Sequence, residues 1–478
     1  MSKTVSLVWF RADLRLSDHP ALAAAAHAGA VVPVFVWAPD EEGKWPPGAA
    51  SRWWQRQSLR SLDTALRRLG SRLILARGPT VPALLRLAGQ CGARALFFNR
   101  RYEPAARKVE VQLTAAAEAA GLRVAIFNSA LLYEPGQLVA AAGQPYRRFT
   151  PFWHSLCAAP EPPRPLPAPD RLQPPRRWPE FCSLEELGFS ADTELDARLS
   201  QFWQPGEAGA ETRLGIFLRE RLAGYPSRRN LPAQDGTSRL SPHLHFGEIS
   251  PRRVWHAVRR HSDALPGAQV FLRELAWREF AYHFLIHFPH TPEAPLDSAF
   301  TRLRTRRSAS QLVAWQQGVT GYPLVDAGMR ELLTTGWMHN RVRMVVASFL
   351  TKHLLQDWQD GARWFWERLV DADLANNTLN WQWVAGCGAD TTPYFRIFNP
   401  VLQARRFDPA GEYVRRWVPE LAALDSRWIH RPWQALPQAL AAAGVKLGRT
   451  YPRPIVDHNA ARARALAAFA ALRRVGKR

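Results

Sequence analysis

Short, mostly apolar runs alternate with helix-like segments along the first 130 residues or so. Runs at 5–10, 31–37, 72–76, 95–99 and 124–127 are too short for helices and rich in β-branched and aromatic residues, so they predict strands buried on both faces. Segments 20–28, 51–69, 81–91 and 104–120 lie between them and carry the helical pattern. The alternation predicts a Rossmann-like α/β domain built on a parallel, doubly wound sheet. The first strand runs into Trp9-Phe10-Arg11-Ala12-Asp13-Leu14-Arg15, not a GxGxxG turn, so the ordinary dinucleotide fingerprint is absent. Ten prolines between Pro151 and Pro179 then block regular structure and predict a surface connector. Beyond residue 200 the period becomes helical throughout. Leu214, Phe217, Leu218 and Leu222 share one face of a helix at 207–222, and 271–288, 324–334, 341–355 and 460–472 behave alike. The expected division is an α/β domain at 1–130, a connector at 131–200 and an all-α domain at 201–478.

Composition narrows the function. The formal charge is +22, from 63 basic against 41 acidic residues, which fits a polyanionic partner or a generally arginine-rich proteome. Four cysteines lie far apart, in neither a metal pattern nor a disulfide framework, so no metal site is expected. The N-terminus shows no signal-peptide core and no run of about 18 apolar residues could span a bilayer. A cytoplasmic monomer with no membrane partner is expected, close to DNA if the charge serves nucleic acid.

Four segments carry candidate chemistry. Tyr225 and the run Thr237-Ser238-Arg239-Leu240-Ser241-Pro242 set hydroxyls beside backbone amides ahead of a helix, suited to a pyrophosphate or simply to a cap. Glu274, Trp277 and Arg278 share one helical face at i, i+3 and i+4, either as a surface ion pair or as a cavity wall, with Phe271 one turn earlier. Asn340, Arg341, Arg343 and Met344 cluster within about one turn. Asp371 to Trp383 packs two carboxylates, four amide side chains and two indoles into one stretch, a set suited to a planar redox cofactor. Paired carboxylates also serve glycosidases and metal sites, but the i, i+2 spacing and the lack of further ligands weaken both.

Together with Gly336–Met344, with His243-Leu244-His245-Phe246-Gly247-Glu248, and with Pro393-Tyr394-Phe395-Arg396-Ile397-Phe398-Asn399-Pro400, these segments resemble the DNA photolyase and cryptochrome family, most nearly the class I bacterial photolyases of cyclobutane pyrimidine dimers. The resemblance implies FAD held by Tyr225, Thr237, Ser238, Arg239, Leu240, Ser241, Phe271, Arg278, Arg343, Asp371, Asp373 and Asn377, with Arg343 pairing with Asp371. It implies damaged DNA bound by Glu274, Trp277, Asn340, Arg341, Met344 and Trp383. Asn377 matches the residue facing flavin N5, where photolyases carry Asn and plant-type cryptochromes Asp. Trp381 and Trp358 match the inner members of a three-tryptophan electron chain. Thr305 stands where the third is expected, leaving Trp315, Trp337, Trp364 and Trp366 as substitutes. Tyr102-Glu103-Pro104-Ala105-Ala106 lacks the Asn-Glu of folate-binding relatives, so the antenna is methenyltetrahydrofolate, a deazaflavin or none. The implied activity is light-driven repair of pyrimidine dimers. A cryptochrome-like photoreceptor is the main alternative, for which a C-terminal extension is expected and no room is seen. Repair of 6-4 photoproducts and non-photochemical electron transfer are weaker ones.

Overall fold

The computed structural model describes residues 4–140, 143–189, 192–391 and 395–475. Five strands, β1 (Thr4–Phe10), β2 (Gly29–Trp37), β3 (Ile74–Arg77), β4 (Ala95–Asn99) and β5 (Arg123–Phe127), pair in parallel in the order β3-β2-β1-β4-β5. This is the doubly wound sheet the sequence predicts. Successive residues of β1 face opposite sides, so each strand feeds two cores. Val8 and Phe10 pack with α1 (Pro20–Ala28) and α2 (Ala49–Arg68), while Leu7 and Trp9 pack with α3 (Thr80–Cys91) and α4 (Pro104–Ala119). α1 starts where Pro20 presets φ and the His19 ring accepts from Leu22 N at 3.0 Å.

The chain falls into two compact units that cut across the divisions expected from sequence. One holds residues 1–223, 238–289 and 370–375; the other holds 224–237, 290–369 and 376–478. The first unit therefore joins the sheet to helices of the C-terminal half. Buried polar contacts account for this joining. The fully buried Glu248 carboxylate accepts from Trp54 Nε1 at 3.0 Å and Gly206 N at 2.6 Å, and also binds Ser58 and His243. Arg15 donates to Gly247 O at 2.8 Å, and Arg252 grips Asp18 through two bonds. Gly247 is at φ +65, and a Cβ there would lie 2.1 Å from Ala12 O, so no larger residue fits this approach.

The described residues of 131–200 include two α-helices, α5 (Phe149–Ala158) and Thr193–Ser200, and a 3-10 turn at Pro135–Gln137; most of 159–189, where the prolines concentrate, is irregular. α5 lies against the helix Pro266–His287.

The second unit is helical. Its helices include Pro323–Thr335, Asn340–Ser348, Trp358–Arg368 and His458–Val475. Asp326 anchors it: its buried carboxylate accepts from Thr320 N at 2.7 Å, Gly321 N at 3.0 Å and Tyr451 Oη at 2.6 Å. Among the described residues no helix is long and apolar enough to cross a membrane, and no cluster of His, Cys, Asp and Glu could hold a metal.

Candidate functional site

The expected site residues divide between the two units. In the first unit, the turn Ser238–Ser241 leads into a short helix, Ser241–His245. Arg239 sits at φ +52, a left-handed conformation costly for a side chain with a Cβ, and Ser238 Oγ accepts from Leu240 N at 3.3 Å. Ser241 Oγ donates to Asp371 Oδ2 at 2.7 Å, so the hydroxyl turn and the first carboxylate meet. Asp373 N donates to Asp371 O at 2.8 Å, folding the pair into a tight turn.

The Asp373 carboxylate is buried. It accepts from Tyr282 Oη at 2.5 Å and lies 3.7 Å from His245 Nδ1. Burial alone would raise its pKa, but His245, Arg278 and the Tyr282 hydroxyl outweigh that and hold it well below the usual carboxylate range. Burial and the Asp373 charge push the Tyr282 phenol up. Asp373 is thus an ionised acceptor at any ordinary pH. Arg278 is fastened by donating to Ala130 O at 2.7 Å, and its guanidinium covers the Tyr282 ring at 4.8 Å. Phe271 packs against Phe217, ring centroids 4.4 Å apart. Glu274 and Trp277 are half-buried, and Trp277 stacks on Phe149 at 3.7 Å.

A cleft opens in this unit at the carboxyl ends of β1 and β4, where the strand order reverses. This is the switch point at which open α/β sheets take ligands. Arg11, Asp13, Asn99, Tyr102 and Glu103 line it from the sheet, and His245, Arg278 and Tyr282 from the helices. Its charges are largely spent on each other. Arg11 pairs with Glu110 at 2.8 Å, Asp13 with His19 at 3.0 Å, and Arg101 with Glu42 at 2.6 Å.

In the second unit, Tyr225 is buried under the Arg229 guanidinium, 5.4 Å from its ring centroid, and Thr237 closes the same short segment. Asn340 is exposed and opens a helix whose Arg341 N is capped by His339. The Arg341 guanidinium donates to Asn230 Oδ1 at 2.7 Å, contacts Met344 Sδ at 3.7 Å and lies 4.6 Å from the Phe407 centroid, so it is held extended. Arg343 donates to Met338 O at 2.8 Å. Asn377 spends one amide hydrogen on Ala362 O at 3.1 Å, which fixes the amide plane. Trp383 donates to Asp390 O at 3.2 Å. Trp381 is buried so close to Gly361 that a Cβ there would meet its ring at 2.1 Å. Of the four substitutes for the missing outer tryptophan, Trp315 lies against Trp381, ring centroids 6.4 Å apart, with Phe365 touching both. Trp358 is half-buried at the start of its helix, and Thr305 lies in an irregular stretch. Pro393 and Tyr394 of the downstream motif lie outside the described residues.

The sequence reading passed over Tyr282, His245 as a neighbour of Asp373, and Asn230. Tyr282 was within reach: 274, 278 and 282 fall on one i, i+4 row of a single helix. His245 stood in a quoted motif, but its partner lies 128 residues away, beyond any local pattern.

These residues fit an FAD. The carboxyl groups of Asp371 and Asp373 offer acceptors for the N–H groups of a flavin or adenine, the turn through Ser238 brings hydroxyls and backbone amides to the same place, and buried His243 Nε2 has no hydrogen-bond partner among the described residues. Comparison with known proteins agrees. A family model described as "FAD binding domain of DNA photolyase" matches residues 271–471, and one described as "DNA photolyase" matches 6–170. The chain is 47% identical to a deoxyribodipyrimidine photo-lyase of Agrobacterium fabrum over 98% of each chain. It is 42% identical to cryptochrome-2 of Arabidopsis thaliana, over 96% of this chain and 77% of that one. Among solved structures, a bacterial class III photolyase from Agrobacterium tumefaciens superposes with a TM-score of 0.95 at 46% identity, covering 99% of this chain and 98% of that one. The class I placement expected from sequence finds no support in that likeness, which is to a class III structure; the family itself does.

Proposed function

This chain belongs to the DNA photolyase and cryptochrome family and carries its FAD-binding domain, and we propose that it is a light-driven lyase that splits cyclobutane pyrimidine dimers in DNA. The observation that carries this reading is the face formed by Glu274, Trp277 and Arg278. A half-exposed indole and a carboxyl stand one turn apart on a helix whose next turn, through Tyr282, binds the cofactor carboxylate Asp373. Flavoproteins that only pass electrons need no such platform.

In this reading the excess positive charge draws the duplex in by displacing counterions, and Arg341 meets the backbone of the damaged strand. Flipping the lesion out costs less than flipping an intact pair, because its stacking and pairing are already impaired. Trp277 takes the flipped dimer on its ring face, and Glu274 hydrogen-bonds its base edge. Asn340, Met344 and Trp383 are further substrate contacts in this reading. Tyr225, Thr237, Ser238, Arg239, Leu240 and Ser241 hold the phosphates, and Phe271, Arg278, Arg343, Asp371, Asp373 and Asn377 hold the rings. Reduced FAD, when bound, supplies the light-driven electron that opens the cyclobutane ring. Trp381 and Trp358 serve only to recharge the oxidised protein. The protein works as a cytoplasmic monomer.

The 42% identity to a plant cryptochrome favours one second reading, a photoreceptor without repair. Asn377 supports repair over it, because the resemblance puts Asp there in plant-type cryptochromes. The experiment is direct. Reduced, FAD-loaded protein and dimer-containing DNA under blue light should yield intact pyrimidines, and Glu274→Ala should lower the yield per photon with FAD content unchanged. Flavin-loaded protein that binds damaged DNA and restores no pyrimidine would leave the photoreceptor reading standing.

A further inference from the structure

Trp277 does not owe its position to its own helix alone. Phe149, the first residue of α5, lies parallel to the indole with ring centroids 3.7 Å apart and planes inclined by 9°. Phe149 itself is 1% exposed. The guanidinium of Arg273 lies over the same phenyl ring, its Cζ 5.5 Å from the centroid. Phe280 meets Trp277 nearly edge-on, at 5.7 Å and 80°. Arg273 and Trp277 are i and i+4 on one helix, neighbours on its surface. The phenyl ring thus carries a stacked indole and has a guanidinium within cation–π distance.

That arrangement has a physical cost and a reason. A parallel sandwich is the less favoured geometry for two neutral rings, whose faces carry like-signed charge. A cation close to the Phe149 ring offsets this repulsion. Stacked on Phe149 and met edge-on by Phe280, the indole still stays only half-buried.

We infer that Phe149 is a positioning residue for lesion recognition, fixing the Trp277 ring so that its open face is a preformed stacking platform for a flipped pyrimidine. The inference rests on the reading of Trp277 as the stacking residue. It brings into the site a residue from the proline-rich stretch that the sequence presents as a mere connector. Its value lies in preorganisation: an indole already immobilised on folding loses no further rotamer freedom when the base arrives. Without the phenyl wall the ring can tip into the vacated space, and its flat face is no longer offered.

The test uses full-length, FAD-loaded protein and three variants: Phe149→Leu, Phe149→Tyr and Trp277→Ala. Affinity is measured for duplexes with and without a pyrimidine dimer, and thermal melting checks folding. Phe149→Leu should weaken binding to damaged DNA by about five- to tenfold, the order of one lost stacking contact, and change binding to undamaged DNA by less than about twofold. The loss should appear in KM for damaged DNA, with kcat moving far less. Phe149→Tyr keeps the flat ring and should restore discrimination, which a mere volume effect would not require. In the double variant Phe149→Leu/Trp277→Ala the loss should equal that of Trp277→Ala alone, because the first residue acts through the second. Discrimination retained by a folded Phe149→Leu while Trp277→Ala loses it, or additive losses in the double variant, would overturn the inference alone. Discrimination retained by Trp277→Ala would remove the stacking reading, and this inference with it.

Discussion

Glu279 shows how far one buried group can set a local property. It neighbours Arg278, accepts from Leu132 N at 2.9 Å, and is 4% exposed. Burial outweighs Arg278 and the backbone N–H groups and pushes its pKa up from 4.5 to about 7. The unfolded chain releases this proton near pH 4.5, whereas the folded one keeps it to about pH 7. Between those values the native state binds more protons, so this group's contribution to stability falls as pH rises and is constant above about pH 7. Glu279→Gln keeps an oxygen for Leu132 N and removes the titration. It should flatten the pH dependence of unfolding between pH 5 and 7 and recover roughly 3 kcal/mol at pH 8. Denaturant titrations of both proteins at pH 5 and pH 8 check this; identical pH dependence would show that Glu279 is already ionised in the fold.

At the scale of elements, the helices Trp358–Arg368 and Leu374–Ala385 carry the proposed electron route. Gly361 lets them approach closely enough for Trp381 to pack where a Cβ would stand, and Trp315 lies edge-on to the same ring. In the proposed relay, with Thr305 at the outer position, a hole on Trp381 would have Trp358 and Trp315 as destinations, and Trp315 is fully buried. Trp381→Phe should therefore lose most photoreduction of oxidised, FAD-loaded protein, while chemically reduced protein still repairs. Trp315→Phe should shorten the radical lifetime without abolishing its formation, as read by transient absorption. Photoreduction untouched in Trp381→Phe would remove the relay assignment. Glu248 teaches a related lesson: a buried carboxylate on one short segment joins α2, the start of the helix Glu207–Ile216 and His243, and so sets the turn that precedes Asp371 in space.

The whole molecule is read through its charge. A formal +22 on 478 residues predicts binding to duplex DNA that weakens steeply with salt. Arg341→Ala should lower affinity for damaged and undamaged duplexes by similar factors and flatten the log–log salt slope by about 0.9, the signature of one phosphate contact. An unchanged slope would mean that Arg341, held by Asn230 and Phe407, serves the protein rather than the DNA.

What the sequence determined by itself was local or strongly periodic. Four helices of the α/β domain and its five strands followed from apolar period and length, and the parallel sheet followed from their alternation, because each rests on neighbours within a few residues. The hydroxyl turn and the Asp371–Asp373 pair were legible as motifs, and the structure joins the two through the bond from Ser241 to Asp371. The tertiary structure decided everything that depends on two distant segments meeting. It grouped residues 238–289 and 370–375 with the sheet, turned Tyr282 and His245 toward Asp373, set Trp315 beside Trp381, and slid Phe149 under Trp277. The physical reason is common to all four. Contacts over long sequence separations are fixed by the burial of whole faces and by paired polar groups within the core, and no local pattern encodes which face will meet which.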